Sequence, residues 1–450
     1  MIEHVAIVGG GFSGTLQAIN LLRHDGPRAT LIERRPRAGE GVAYGAAHPG
    51  HLLNVRAGNM SAFPDDPGHF VRWLEARGVP DAAGSFAARL AYGDYLRGLL
   101  EHARADAGER LRCVTDDVVD VRAHAGGARI ALAGGGTIDA DAAVLAVGNL
   151  PPHTPLGIDP AALGDVYVGD PWTAGGLDGL GPDDVVLMIG SGLTMIDVAL
   201  SLDASGFTGR MVALSRRGLL PHVHAAVPPH PTPVSERPVE PLSALLARLR
   251  ARGAAIGWRG AIDELRPFTQ DMWRVADERT RRRFLVHARA WWDVHRHRLA
   301  PSVAARIAAL RESARLRIDA GRIVSATRAG DGARIGWRPR GRDTVEQLRA
   351  RRIVNCTGPQ GDLMRTDDAL LRTLAARGTI RPDRQALGID VDAQARTIDA
   401  DGRANDWLTA LGPMTRGAFW EIVAVPDIRV QTWAVARRLS NAQWVGGEGL

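Results

Sequence analysis

An α/β protein with two parallel sheets is what this sequence predicts, and three observations predict it. Val5-Ala6-Ile7-Val8 is an apolar run that stops at Gly9-Gly10-Gly11, and Gly14 completes G-x-G-x-x-G before a helical pattern at residues 15–22. Val185–Ile189 repeats the arrangement, running into Gly190-Ser191-Gly192 and a second helical pattern. Another apolar run, at residues 142–147, ends at Gly148, and a shorter strand pattern, Arg351-Arg352-Ile353-Val354-Asn355-Cys356, ends at Thr357-Gly358. Strands buried on both faces of a parallel sheet read as such unbroken apolar runs.

The first strand, turn and helix together give the context a dinucleotide turn needs. Gly9 lets the chain turn sharply, Gly11 holds no side chain against a pyrophosphate, and Gly14 lets helix and strand pack closely. The N–H groups at the helix start, at Phe12 and Ser13, then face the phosphates. A second strand, Ala29-Thr30-Leu31-Ile32, ends in Glu33 at the spacing of about 20 residues expected for a ribose-binding acid. A carboxylate there accepts from both ribose hydroxyls and repels a 2′-phosphate, so the first nucleotide is expected to be FAD or NAD. Arg34 opens a glycine-containing loop expected to cover the ribose and phosphates. Val118 and Gly148 complete the expected contacts of this first site.

The second turn keeps Gly190 and Gly192 but has Met195 in the third position, which loosens helix packing and leaves the phosphate turn intact. Leu193 and Thr194 supply its helix-start N–H groups. The next strand, Arg210-Met211-Val212-Ala213-Leu214, ends in Ser215-Arg216-Arg217-Gly218 and not in an acid. Guanidinium groups bind phosphate through paired donors, so this site is expected to take NADPH. A solvated arginine pair after a strand is the competing reading. Thr357 and Gly358, where the chain is expected to cross back to the first domain, are further candidate contacts.

With 450 residues there is room for two or three domains. Hydrophobic content of 45% and charged content of 24% are those of a globular protein. Every basic residue is arginine and the net charge is +6, but the densest run, RTRRR at 279–283, follows Asp277 and Glu278. No concentrated basic face emerges, so a nucleic-acid partner is not expected. No apolar run approaches the ~20 residues of a membrane span. No basic region and cleavage site precede the first strand, so a cytoplasmic protein is expected. Two cysteines, Cys113 and Cys356, far apart and in no CxxC, argue against a dithiol centre.

Between these landmarks, helices are expected from Phe70 and from Arg89, and a meander of short strands at 114–121, 128–132 and 137–139. Residues 221–241 are proline-rich and expected to be irregular. Residues 242–310 read as mostly helical, with Trp258, Trp273, Trp291 and Trp292 as core. His295 and His297 fall on different helix faces, so no metal site is expected. Strands are expected at 322–338 and around Trp407, and a last helix at 429–439. The predicted architecture is therefore two Rossmann-like domains. The first nucleotide domain is discontinuous, 1–165 with 350–450, and the NADPH domain is 166–349 with a helical insertion at about 242–310.

GVAYG at 41–45, HLLNV at 51–55, FPDDP at 63–67, GSGLTMID at 190–197, SRRG at 215–218, NCTGP at 355–359 and AVPDI at 424–428 resemble the FAD-NAD(P)-binding (YdhS-like) family. That group consists of flavoproteins with two dinucleotide-binding domains, and the likeness runs over nearly the whole chain. Gly190-x-Gly192 with Asp197 also resembles the NADPH turn of flavin-containing and N-hydroxylating monooxygenases. Gly169-Asp170-Pro171-Trp172 departs from the histidine-then-aromatic pattern of many relatives, which speaks against a Baeyer–Villiger enzyme. The resemblance implies an enzyme in which NADPH reduces FAD and molecular oxygen then forms a C4a-hydroperoxyflavin that oxygenates a small molecule. An NADPH reductase serving a quinone or a protein acceptor, and a non-catalytic flavin-binding redox sensor, are the alternatives. Asn54, among apolar residues after the glycine-containing loop, is the candidate catalytic residue. Its amide either closes a local turn or reaches the flavin edge or the nicotinamide amide.

Overall fold

A computed structural model describes residues 2–226, 234 and 236–440, so part of the proline-rich stretch 221–241 lies outside the described residues. The chain divides into two compact units, one of residues 1–47, 56–150 and 361–450, the other of 48–55 and 151–360. The sequence suggested boundaries at 165/166 and 349/350 and no excursion at 48–55. Which strand pairs with which decides the difference, and an apolar run does not say which sheet it enters.

The first unit begins with β1 (His4–Val8), a helix Phe12–Arg23 and β2 (Arg28–Glu33), followed by a helix Arg89–Ala107 and β3 (Leu111–Thr115). The meander is β4 (Val118–His124), β5 (Gly127–Leu132) and β6 (Thr137–Ala140), and β7 (Ala142–Leu145) returns to the main sheet. Residues 114 and 115 were expected in the meander but belong to β3, because Asp116 and Asp117 interrupt the strand there. In the second unit are β8 (Tyr167–Val168), β9 (Val185–Ile189), a helix Leu193–Ala204 and β10 (Arg210–Ser215). Helices between Leu242 and Glu312 follow, then β11 (Leu316–Ala329), β12 (Gly332–Pro339), β13 (Glu346–Ala350) and β14 (Arg352–Asn355). The chain re-enters the first unit for a helix Ala369–Ala376, β15 (Arg396–Ile398), β16 (Ala404–Ala410) and a helix Val425–Leu439. That last helix starts earlier than the sequence suggested because Pro426 sits in its first turn, where its missing N–H costs nothing.

The two sheets share a plan. The first runs β15-β16-β7-β1-β2-β3 and the second β13-β12-β11-β10-β9-β14-β8. In each, the strand that leads into a glycine turn lies between the strand after its helix and a later strand ending at glycine, all parallel. Period-two alternation then buries both faces. Val5 and Ile7 pack under the helices with Leu21, Val435 and Leu439, while Ala6 and Val8 face Val121, Ile130 and Leu371. In the second sheet Val186 and Met188 meet the helical layer, and Leu187 and Ile189 meet Ile335 and Trp337 of the antiparallel extension. No helix among the described residues is long and apolar enough to cross a membrane.

One ion pair ties the meander to the helix Ala369–Ala376. Arg377 Nη2 and Nη1 lie 2.7 and 2.9 Å from the two oxygens of Asp120, and Arg122 Nε donates to the same carboxylate. Burial pushes the Asp120 carboxyl up, but the two guanidinium groups outweigh it and hold it down at about 2. A depressed carboxyl adds stability above its unfolded value near pH ~4 and loses it as the pH falls through its folded value. Asp120→Asn should therefore cost at most about 2 kcal/mol at neutral pH and little near pH ~2. Urea melts of both proteins at the two pH values check this, and an unchanged gap between them would refute it.

Candidate functional site

Each unit carries a glycine turn whose geometry is dictated by its neighbours. Gly9 has φ +102°, and a side chain there would run into the Ala146 carbonyl of the strand end beside it. Gly190 has φ +120° and meets the Cys356 carbonyl in the same way. Each first glycine is thus required by the protein itself. The Gly9 N–H donates to Ile32 O at 2.8 Å and the Gly190 N–H to Leu214 O at 2.9 Å, which fixes each turn to the adjoining strand. Gly14 closes onto the Gly9 carbonyl, so a β-carbon is excluded there too. Its counterpart Met195 is fully buried in the second core, consistent with a turn that has lost the third glycine.

The middle glycines behave differently. A β-carbon at Gly11 would meet only Gly41 Cα, at 3.6 Å, and one at Gly192 would meet nothing within 4 Å. Their backbones, φ −73° and −87°, suit any residue. Nothing in the polypeptide demands glycine at either position, so the space is suited to a group that is not polypeptide. Each of these glycines caps a twelve-residue helix with no side-chain cap and no acid in its first turn. The orphan N–H groups at Phe12 and Ser13, and at Leu193 and Thr194, are therefore left for an anion. Gly148 (φ +72°) and Gly358 (φ +87°) close the matching strand ends, again with nothing within 4 Å of a β-carbon. The residues present fit two pyrophosphates, one per unit.

The strand ends after the helices distinguish the sites. Glu33 Oε2 accepts from the Gly10 N–H at 2.7 Å and Oε1 from the Arg35 N–H at 3.0 Å. Each carboxylate oxygen keeps a further acceptor site for a ribose hydroxyl. At the second turn the strand ends in Ser215, whose Oγ accepts from the Gly218 N–H at 3.0 Å. Arg216 is exposed and has no hydrogen bond or ion pair among the described residues. Arg217 reaches the Val286 carbonyl at 3.5 Å, at the edge of a hydrogen bond. Arg216 is thus the freer of the two.

Other expected contacts have different surroundings. Arg34 is paired to Asp368 at 3.2 Å and lies 3.8 Å from Asp117, and Val118 is a core residue of the meander. Neither side chain is left open in the way the glycines are. Ser13 is buried beside Gly412, in the loop before the last helix, which sequence reasoning did not connect with the first turn. Thr357 Oγ1 donates to Asn355 Oδ1 at 2.7 Å, and both lie in the second unit together with Gly358. These two were expected where the chain crosses back to the first domain, but β14 pairs with β9 and holds them beside Gly190.

Asn54 lies on the segment 48–55, which packs within the second unit. Two histidines anchor that segment: His51 Nε2 lies 3.0 Å from both Asp197 O and Ser201 Oγ, and His224 Nε2 lies 2.8 Å from Asn54 O. His51 also packs edge-on against Trp172 at 6.2 Å, which brings a histidine to the tryptophan whose own stretch lacks one. Asn54 itself is half-buried, and its amide has no hydrogen-bond partner among the described residues. The turn-closing alternative for that amide therefore has no bond to support it.

Cys356 is buried, and burial pushes its thiol well above the usual range. Cys113 is half-buried and both cysteines are free. Among the described residues no cluster of three or more His, Cys, Asp or Glu side chains is placed to hold a metal ion.

Residues 6–150 match the FAD-NAD(P)-binding family. No curated protein matches the chain. Among solved structures, L-lysine 6-monooxygenase from Pseudomonas syringae is similar at 15% identity with a TM-score of 0.69, covering 99% of this chain and 100% of that one. A cadaverine monooxygenase from Erwinia amylovora is similar at 13% identity with a TM-score of 0.69, covering 98% and 95%. A thioredoxin reductase from T. acidophilum is similar at 12% identity with a TM-score of 0.53, covering 97% of each. At these identities the likeness is one of fold: two Rossmann-like domains arranged along the chain as in two-domain flavoproteins.

Proposed function

We propose, from an FAD-NAD(P)-binding domain followed by a second nucleotide turn, that this chain is an FAD-dependent enzyme. It would oxidise NADPH and use molecular oxygen to hydroxylate a small molecule. The observation that carries the reading is the contrast between two like turns, one ending in the carboxylate of Glu33 and the other in Ser215 and the unpaired Arg216. The first suits the bare ribose of FAD and the second a 2′-phosphate. Two of the similar structures are a lysine and a cadaverine monooxygenase, so a primary amine is the substrate class to try first.

Residues 9–14, Glu33 and Gly148 would hold FAD. Gly190, Gly192, Leu193, Thr194, Ser215, Arg216, Arg217, Thr357 and Gly358 would hold NADPH. Bound FAD supplies two-electron chemistry between coenzyme and oxygen. The protein's part is to bind both cofactors through backbone N–H groups, to orient them, and to keep water out. A dithiol reductase is the competing reading raised by the fold, and the chain's two widely separated cysteines do not serve it. The test is NADPH oxidation by the FAD-loaded protein, with and without amines and oxygen. Oxygen uptake that rises with an amine and yields a hydroxylated product supports the reading. Equal turnover without oxygen, on a quinone or protein acceptor, replaces it with a reductase.

Arg216→Ala with Arg217→Ala should lower the NADPH-over-NADH preference in kcat/KM by at least about tenfold, since a charged hydrogen bond is worth ~1.5–3 kcal/mol. Arg216→Ala alone should account for most of it. An unchanged ratio in both variants would remove these arginines from the site.

A further inference from the structure

The molecule contains one turn closed in two ways. In the first unit the backbone N–H of residue 10 anchors a carboxylate, Glu33 Oε2, at 2.7 Å. In the second unit the equivalent residue is Ser191, which is 7% exposed, and the equivalent of Glu33 is Ser215. Ser191 Oγ lies 2.8 Å from Ser215 Oγ and 2.6 Å from Leu219 O. A hydroxyl has one proton to give. With the Gly218 N–H already donating to Ser215 Oγ at 3.0 Å, one order uses every proton. Gly218 N–H donates to Ser215, Ser215 O–H to Ser191, and Ser191 O–H to Leu219 O. Both ends of the bend 215–219 are tied to one buried hydroxyl, and Arg216 projects from the bend without a partner.

We propose that Ser191 is a positioning residue that sets which coenzyme the second site takes. Its hydroxyl relay replaces a carboxylate anchor and fixes the bend that presents Arg216 to a 2′-phosphate. The inference rests on the reading that the second turn binds NADPH. It goes beyond that reading in assigning selectivity to a side chain that need not touch the coenzyme. Removing the hydroxyl leaves the Leu219 carbonyl and the Ser215 proton unpaired and frees the bend. Restoring the first unit's pair, a glycine N–H facing a carboxylate, places a negative charge where the phosphate would lie, and specificity follows the introduced repulsion.

The experiment titrates NADP+ and NAD+ into the FAD-loaded protein and compares the ratio of their Kd values. A structural defect weakens both coenzymes alike, so the ratio separates selectivity from stability. Wild type should prefer NADP+. If it does not, the NADPH reading fails and takes this inference with it. Given that preference, Ser191→Ala should reduce the ratio about tenfold, the loss expected for one charge-assisted contact. Ser191→Thr, which keeps the hydroxyl, should restore most of it. Ser191→Gly with Ser215→Glu should make NAD+ the tighter ligand. A wild-type preference that survives unchanged in both Ser191→Ala and the double variant overturns the role of Ser191 and leaves the NADPH reading standing.

Discussion

Gly11→Val should give a folded protein that purifies without flavin. The position has φ −73°, which valine adopts freely, and its β-carbon would meet only Gly41 Cα at 3.6 Å. The polypeptide therefore tolerates the first added carbon, whereas a pyrophosphate on the helix N-terminus does not. Gly9→Val makes the control. There the chain has φ +102° and a β-carbon runs into the Ala146 carbonyl, so the variant should lose stability whether or not flavin is present. The two glycines sit in one motif and should fail for different reasons. Flavin content and the melting temperature of the apoprotein, measured on both variants, distinguish them. A Gly11→Val protein with normal flavin content would show that the first turn is not where FAD binds.

Asn54→Ala should leave FAD bound and slow flavin reduction by NADPH tenfold or more. The amide is half-buried and has no partner among the described residues, while the Asn54 carbonyl is held by His224 Nε2 at 2.8 Å. Its backbone is thus fixed and its side chain is free to meet a ligand. Losing that hydrogen bond and leaving the ligand's polar group unpaired costs ~1–3 kcal/mol. Anaerobic stopped-flow reduction, read beside a thermal melt, tests it. A normal reduction rate in a protein of normal stability would take Asn54 out of the reaction.

The geometry of both turns was legible in the sequence because it depends on local residue type. Glycine at 9, 11, 190 and 192, an acid at 33 and arginine at 216 announce themselves within a strand-turn-helix. Ownership of segments was not legible. Residues 48–55 and 352–355 belong to the second unit through partners such as Asp197 and Ile189, far away along the chain. No local pattern records such a pairing. Arg34 was expected at a phosphate because it follows Glu33, yet Asp368 reaches it from the far end of the chain. Ser191 read only as the variable residue of a G-x-G, and its role appears once Leu219 is seen beside it.

The strand order of the first sheet has a consequence for how the protein is made. β16 pairs with β7, and the helix Val425–Leu439 packs under β1, so the first unit cannot close before residues 404–439 have left the ribosome. The second unit is nearly continuous, from 151 to 360, and domains fold as units during synthesis. The second unit would therefore be complete first, with β7 waiting for its partner β16 and β1 for the helix that covers it. Such waiting strands are the aggregation-prone species of a non-local parallel sheet. If the first unit takes FAD as proposed, the flavin would bind the closed unit and not the waiting strands, so flavin supplied during expression should raise the soluble yield more than flavin added afterwards.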